Sequence, residues 1–126
     1  FLLSHYTGNR GYYDLGKSMI DSITNDMTEN SLDYMNWLNV ALDYNDKFFE
    51  VVISGKKSFE MAKEINSSYF PNILIAASKK DSDRYLLKNR YIKGENLIYV
   101  CVNNTCKFPV NNVKEALNLI TQSDEK

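Results

Sequence analysis

The sequence predicts an α/β protein: an antiparallel helix pair followed by a small, mainly parallel sheet of three to four strands with flanking helices. Two observations predict it. Up to residue 45 the apolar positions recur every three or four residues, the period of one face of an α-helix. From Asp46 the pattern changes to short β-branched and aromatic runs with a helical stretch between them, the order of a βαβ unit. With 126 residues the chain is long enough to bury a core of its own.

Phe1 to Tyr6 reads as the tail of a helix, and Thr7-Gly8-Asn9 as the turn that stops it. Tyr12, Gly16, Met19, Ile20, Ile23 and Met27 then share one face of a second helix, with Asp14, Lys17, Asp21 and Asn25 mainly outside that stripe. Thr28-Glu29-Asn30-Ser31 breaks the pattern and offers capping oxygens for a third helix carrying Leu32, Met35, Leu38 and Leu42. Tyr34, Trp37 and Ala41 make that helix apolar around much of its circumference, so packing on two sides is expected. The short link makes the pair antiparallel.

Residues 48–54 are aromatic and β-branched and end at Gly55, which predicts a strand. Ser58 is placed to cap a helix carrying Phe59, Ala62 and Ile65, and Pro71 marks the entry to a second strand at 72–78. That strand is apolar on consecutive positions, as expected where both sheet faces are covered. The first two strands should be parallel with a right-handed crossover. Residues 84–93 read equally as a helical turn or a short extended piece, and Gly94-Glu95-Asn96 turns the chain into a third strand at 97–102. Asn112 with Glu115 forms a capping box for a last helix using Val113, Ala116, Leu117 and Ile120, with Ser123 to Lys126 frayed. The expected division is a helical hairpin over residues 1–45 and a small α/β lobe over 46–126, packed on it as one body.

A formal net charge of −1 gives no electrostatic reason to expect nucleic acid or an anionic membrane as partner. The apolar runs are too short to span a bilayer, and no targeting signal is visible, so a cytoplasmic location is expected. The start at Phe1 reads as a cut inside a larger protein, entering in mid-helix. Asn66 and Asn103 head glycosylation-type triplets that an Asn-rich chain produces by chance.

The only closely spaced reactive side chains are Cys101 and Cys106, on either side of an Asn103-Asn104-Thr105 turn. The first sits at a strand end and the second in a loop, without the helix N-terminus that lowers thiol pKa in redox pairs. A plain packing role, a reversible disulfide, and a metal or catalytic thiol all remain open for them. A structural zinc site needs four ligands, which only a dimer or a missing part of the chain would complete around these thiols. His5 is the single histidine and is expected to pack rather than react. Ser54-Gly55-Lys56-Lys57-Ser58 lies in a strand-to-helix turn but lacks the leading glycine of a phosphate loop. Lys79, Lys80, Arg84, Lys88, Arg90 and Lys93 read as a solvated face, interrupted by Asp81 and Asp83. Asp33, Asp43, Asp46, Glu60 and Glu64 form no placeable pair, and no catalytic, cofactor-binding or metal-ligating set assembles.

The order of helix pair, Val51-Val52-Ile53-Ser54-Gly55, helix, Tyr69-Phe70-Pro71-Asn72 and strand, then Tyr99-Val100-Cys101 with Cys106 and Pro109, resembles a known pattern. It is similar to the C-terminal end of thioredoxin-domain-containing proteins of the spermatogenesis-associated type, over nearly the whole chain. Its most specific positions are Gly55, Pro71, Asn72 and Cys101 through Pro109. The resemblance implies a parent with a thioredoxin-like domain and an α/α toroid of the six-hairpin glycosidase and N-acylglucosamine 2-epimerase kind. The hairpin would be the toroid's closing helices, and the α/β part a non-catalytic terminal lobe that supports or caps it. The implied partners are the rest of that parent and, for the isolated segment, a second copy. Redox or sugar-processing activity would belong to the parent. The alternative is a redox-active or regulatory dithiol, Cys101 with Cys106, exchanging with the parent's thioredoxin-like domain.

Overall fold

A computed structural model describes residues 1–103 and 105–122 of the chain. Asn104 of the expected turn and the expected fraying of Ser123 to Lys126 lie outside the described residues. The chain divides into two compact units, Phe1–Lys47 and Phe48–Lys126.

The first unit is helical: α1 (Leu2–Thr7), α2 (Arg10–Glu29) and α3 (Met35–Asn45). Gly8 ends α1 in the left-handed conformation, and the Asn9 side chain caps α2 by accepting the Gly11 N–H at 2.9 Å. Helices α2 and α3 run antiparallel. Tyr13, in the first turn of α2, meets Tyr44, in the last turn of α3, with ring centroids 4.8 Å apart. The Tyr44 hydroxyl donates to the Tyr13 carbonyl oxygen at 3.0 Å. Gly16 permits this approach, since a Cβ there would run into the Tyr44 hydroxyl.

Two expectations for this unit are corrected. Helix α3 begins at Met35 rather than Leu32, because α2 continues to Glu29 and residues 31–34 form the turn that reverses the chain. Leu32 is left 83% exposed on that turn. Helix α3 also buries none of its residues, so the two-sided packing expected of it is not made.

The second unit is an α/β layer: β1 (Phe49–Ser54), α4 (Ser58–Asn66), β2 (Ile73–Ser78), β3 (Leu97–Val102), β4 (Thr105–Cys106) and α5 (Val113–Thr121). The four strands form one mixed sheet in the order β2-β1-β3-β4. As the βαβ pattern predicts, β1 and β2 pair in parallel, while β3 pairs with β1 and β4 with β3 in antiparallel fashion. Helices α4 and α5 cover one sheet face. There Phe49, Val51, Ile53, Ile98 and Val100 pack with Ile65, Val113, Ala116 and Ile120 in a continuous core. Asn112 caps α5 by accepting the Glu115 N–H at 2.9 Å, as the capping box predicts.

The strand buried on both faces is β1, all six of whose residues are buried, and not β2, which is an edge strand and mostly half-buried. Nor does Ser58 cap α4. It is the first helical residue, fully buried, and its hydroxyl finds no hydrogen-bond partner among the described residues. The turn itself fixes the helix start: the Ser58 N–H donates to the Gly55 carbonyl at 3.1 Å, and the Lys57 N–H to Asn96 Oδ1 at 2.8 Å. Residues 84–93 are neither helix nor strand but a succession of turns, with Asn89 at φ 61.

Gly55 has φ 117, and a Cβ there would collide with the Glu95 carbonyl oxygen and crowd Asn96. Replacing Gly55 by alanine is expected to cost about 2–4 kcal/mol, backbone strain plus displacement of the facing turn. Urea titration followed by circular dichroism measures this. An unchanged midpoint would show that the Glu95-Asn96 turn yields freely.

Candidate functional site

Side chains alternate along a strand, so the residues of β1 and β3 that miss the helical core face the opposite side. Register places Glu50 opposite Cys101, Val52 opposite Tyr99, and Cys101 opposite Cys106. Among the described residues of this unit, neither α4 nor α5 covers this second face. Residues 84–90 of the loop lie against it instead, with Leu86 buried and the Arg90 carbonyl accepting from Ser54 and Tyr99. Glu50, Val52, Tyr85, Leu86, Arg90, Cys101 and Cys106 line a cavity of about 150 Å³ there.

Cys101 and Cys106 are joined by a disulfide. Cys106 is in β4 rather than in a loop, so the bond runs between paired strands. The Lys107 N–H donates to the Val100 carbonyl at 3.0 Å, which makes Cys101 and Cys106 a non-hydrogen-bonded pair, the kind in which opposed Cα atoms come closest. Their Cα atoms are 3.9 Å apart. Asn103 has φ 50, a left-handed conformation that asparagine tolerates and that tight hairpins require. Cys101 is 2% exposed, whereas Cys106 is half-buried.

Arg90 reaches the sulfur. Its Nη2 lies 3.0 Å from Cys106 Sγ, and its guanidinium stacks 4.8 Å from the centre of the Tyr99 ring. The same residue is held through its backbone, whose carbonyl oxygen accepts the Ser54 hydroxyl at 2.7 Å and the Tyr99 hydroxyl at 3.1 Å. The expectation that Arg90 belongs to a solvated basic face is therefore corrected: the turns of residues 84–93 fold it back onto the sheet. Glu50, 4% exposed, is the one charged residue among the buried ones of the described residues.

Sequence reasoning placed Arg90 on a solvated face and passed over Glu50. Glu50 carried a visible signal, a carboxylate inside the apolar run of residues 48–53. Arg90 carried none, because its proximity to Cys106 arises only from the long-range path of the loop.

The other sequence candidates lie elsewhere. Gly55, Pro71, Asn72 and Pro109 are turn and strand-entry positions, and the Gly55-Lys56-Lys57 turn spends the Lys57 N–H on Asn96 rather than offering it to a phosphate. Glu60 and Glu64 line an open groove with Lys57 and Lys114. His5 packs edge-on against the Phe1 ring, with centroids 4.6 Å apart. No group of three or more metal-capable side chains occurs among the described residues, and none of the helices described is long and apolar enough to cross a membrane. No family model, curated protein or solved structure matches the chain.

In the helical unit, partial burial pushes the Asp43 carboxyl above its ordinary 3.8, opposed by positive charge at His5 and the amino terminus. A raised folded-state pKa means stability that is full below 3.8 and lost as pH rises through the folded value. Asp43→Asn is therefore expected to be more stable than the parent near neutral pH, with the gap closing below about pH 4. Thermal unfolding at a series of pH values checks it, and a gap that widens in acid would reverse the sign.

Proposed function

We propose that the α/β unit is a thiol–disulfide module, in which Cys106 is the exchanging cysteine and Cys101 the buried resolving one. The observation that carries this is the Arg90 guanidinium 3.0 Å from Cys106 Sγ at a cavity. A fixed cation beside a thiol favours the thiolate, which is the nucleophile in exchange. Accessibility divides the roles the same way, since Cys106 is half-buried and Cys101 is not reachable.

A purely structural staple is the weaker reading. The bond closes a loop with a sequence separation of 5, inside strands already paired. By the chain-entropy relation so short a loop contributes only about 2 kcal/mol. The resemblance to thioredoxin-domain-containing proteins suggests the exchange partner: a dithiol of the parent's thioredoxin-like domain.

In the reduced protein, Arg90→Met is expected to slow alkylation of Cys106 at neutral pH about tenfold, while Arg90→Lys keeps much of the rate. Mass-resolved alkylation kinetics measure it. A Cys106 no more reactive than a free thiol, insensitive to residue 90, would overturn the proposal.

A second reading comes from the helical unit. Helix α3 buries no residue, while Leu15 is 62%, Met35 59% and Leu42 65% exposed. Such helices suit docking against further helices, as the closing hairpin of a toroid would, so that the lobe also supports its parent. In isolation the same faces should bring two copies together. Sedimentation equilibrium is expected to show mass rising with concentration, and a strict monomer at high concentration counts against it.

A further inference from the structure

We propose that the free edge of β2 pairs with β2 of a second copy of this chain, antiparallel and centred on Ile75, joining two sheets into one. The inference is independent of the thiol–disulfide reading and of the helical faces. The Phe49 N–H donates to the Asn72 carbonyl at 2.9 Å and the Gly55 N–H to the Ser78 carbonyl at 3.0 Å. The N–H and C=O of one strand residue point the same way, and the direction alternates along the strand. Asn72, Leu74, Ala76 and Ser78 therefore turn theirs to β1. Ile73, Ile75 and Ala77 turn theirs outward, at the end of the sheet. Among the described residues these outward groups have no backbone partner. Native edges are ordinarily guarded by a charge, a proline, a bulge or shortness. The opposite edge, β4, is two residues long. Strand β2 runs six residues, Ile73-Leu74-Ile75-Ala76-Ala77-Ser78, without charge or proline, and pairs with β1 in unbroken register.

The strand is complementary to itself. With a two-fold axis through Ile75, perpendicular to the sheet, Ile75 meets Ile75 and Ile73 meets Ala77 of the second copy. All of these are outward-facing residues, so each pair exchanges two hydrogen bonds. Side chains match as well: Ile73 falls beside Ala77 and Leu74 beside Ala76, large against small, and Asn72 meets Ser78. Lys79 and Lys80 fall opposite Pro71 and Phe70 at the far ends of the junction, so the two copies keep their lysines apart. A register centred on Ala76 would instead set Leu74 against Ser78 and Ile73 against Lys79. Ile73, Ile75 and Ala77 pack against the helical core, and this axis keeps them on that face in both copies. A foreign strand would use the same backbone groups, but the large-to-small matching belongs to this sequence set against itself.

The test is amide hydrogen exchange of the full native chain, followed by NMR over a range of concentrations beside sedimentation equilibrium. Leu74 and Ala76, bonded to β1, are the controls whose exchange should not follow concentration. Exchange at Ile75 and Ala77 is expected to slow as the dimer forms, by about tenfold once nine-tenths of the chain is paired. Ala77→Pro removes an outward N–H and no bond to β1, and is expected to weaken the dimer about tenfold. If Ala77→Pro does not fold, exchange in the native chain decides alone. A rise in mass without slowing at Ile75 places association elsewhere, as on the helical faces, and overturns the proposal. Protection of Ile75 at every concentration means that the chain itself already covers this edge, and overturns it too. So does a strict monomer at high concentration, or an undiminished dimer in folded Ala77→Pro.

Discussion

The structure of the α/β unit depends on β1 being buried on both faces and both edges. All six of its residues are buried, with β2 on one side and β3 on the other. A strand so placed needs two covers. Helices α4 and α5 supply one, and the residues Phe49, Val51 and Ile53 facing them are wholly buried, each contributing on the order of 1.5–3 kcal/mol. The other cover is a loop, and a loop is harder to hold because its backbone polar groups need partners.

That requirement explains how polar atoms on the second face are used. Ser54 at the end of β1 and Tyr99 on β3 both donate to the Arg90 carbonyl, pinning the loop across the strand. Once the backbone is pinned there, the guanidinium has Tyr99 beneath it and Cys106 within reach. Fold and candidate chemistry therefore share one fixing point. Gly55 serves the same end from the other direction, since its left-handed turn leaves room for Glu95 and lets Asn96 bind the Lys57 N–H.

Local pattern made much of this legible. The α/β class, the parallel β1–β2 pair, the Asn112 cap and the βα turn at Gly55 all follow from short-range periodicity and turn chemistry. Ser58 and Leu32 show where local rules give way. Ser58 looks like a cap, but the local bond from its N–H to the Gly55 carbonyl and one long-range bond, from the Lys57 N–H to Asn96, set the helix start. Leu32 looks helical, but the reversal between α2 and α3 consumes it. The site was half legible. The cysteines were found by their spacing, whereas Arg90, which contacts Cys106, lies 16 positions before it and is brought there by the long-range path of the loop.

The position of the disulfide also bears on whether its chemistry can be reversible. Cys101 is not part of the continuous core formed with α4 and α5, which lies on the opposite face. The edge of β3 is held independently of the sulfurs, by the Lys107 N–H on Val100 and by the reciprocal bonds between Ile98 and Val110 at 2.8 and 3.0 Å. Neither the β3–β4 pairing nor the core facing α4 and α5 is built on the sulfurs, so the two thiols of a reduced chain would be expected to stay opposed across the hairpin. A pair that remains in register after reduction can re-form its bond without refolding. The exchange proposed for this pair would then be a local event at the sheet edge, beside the Arg90 guanidinium.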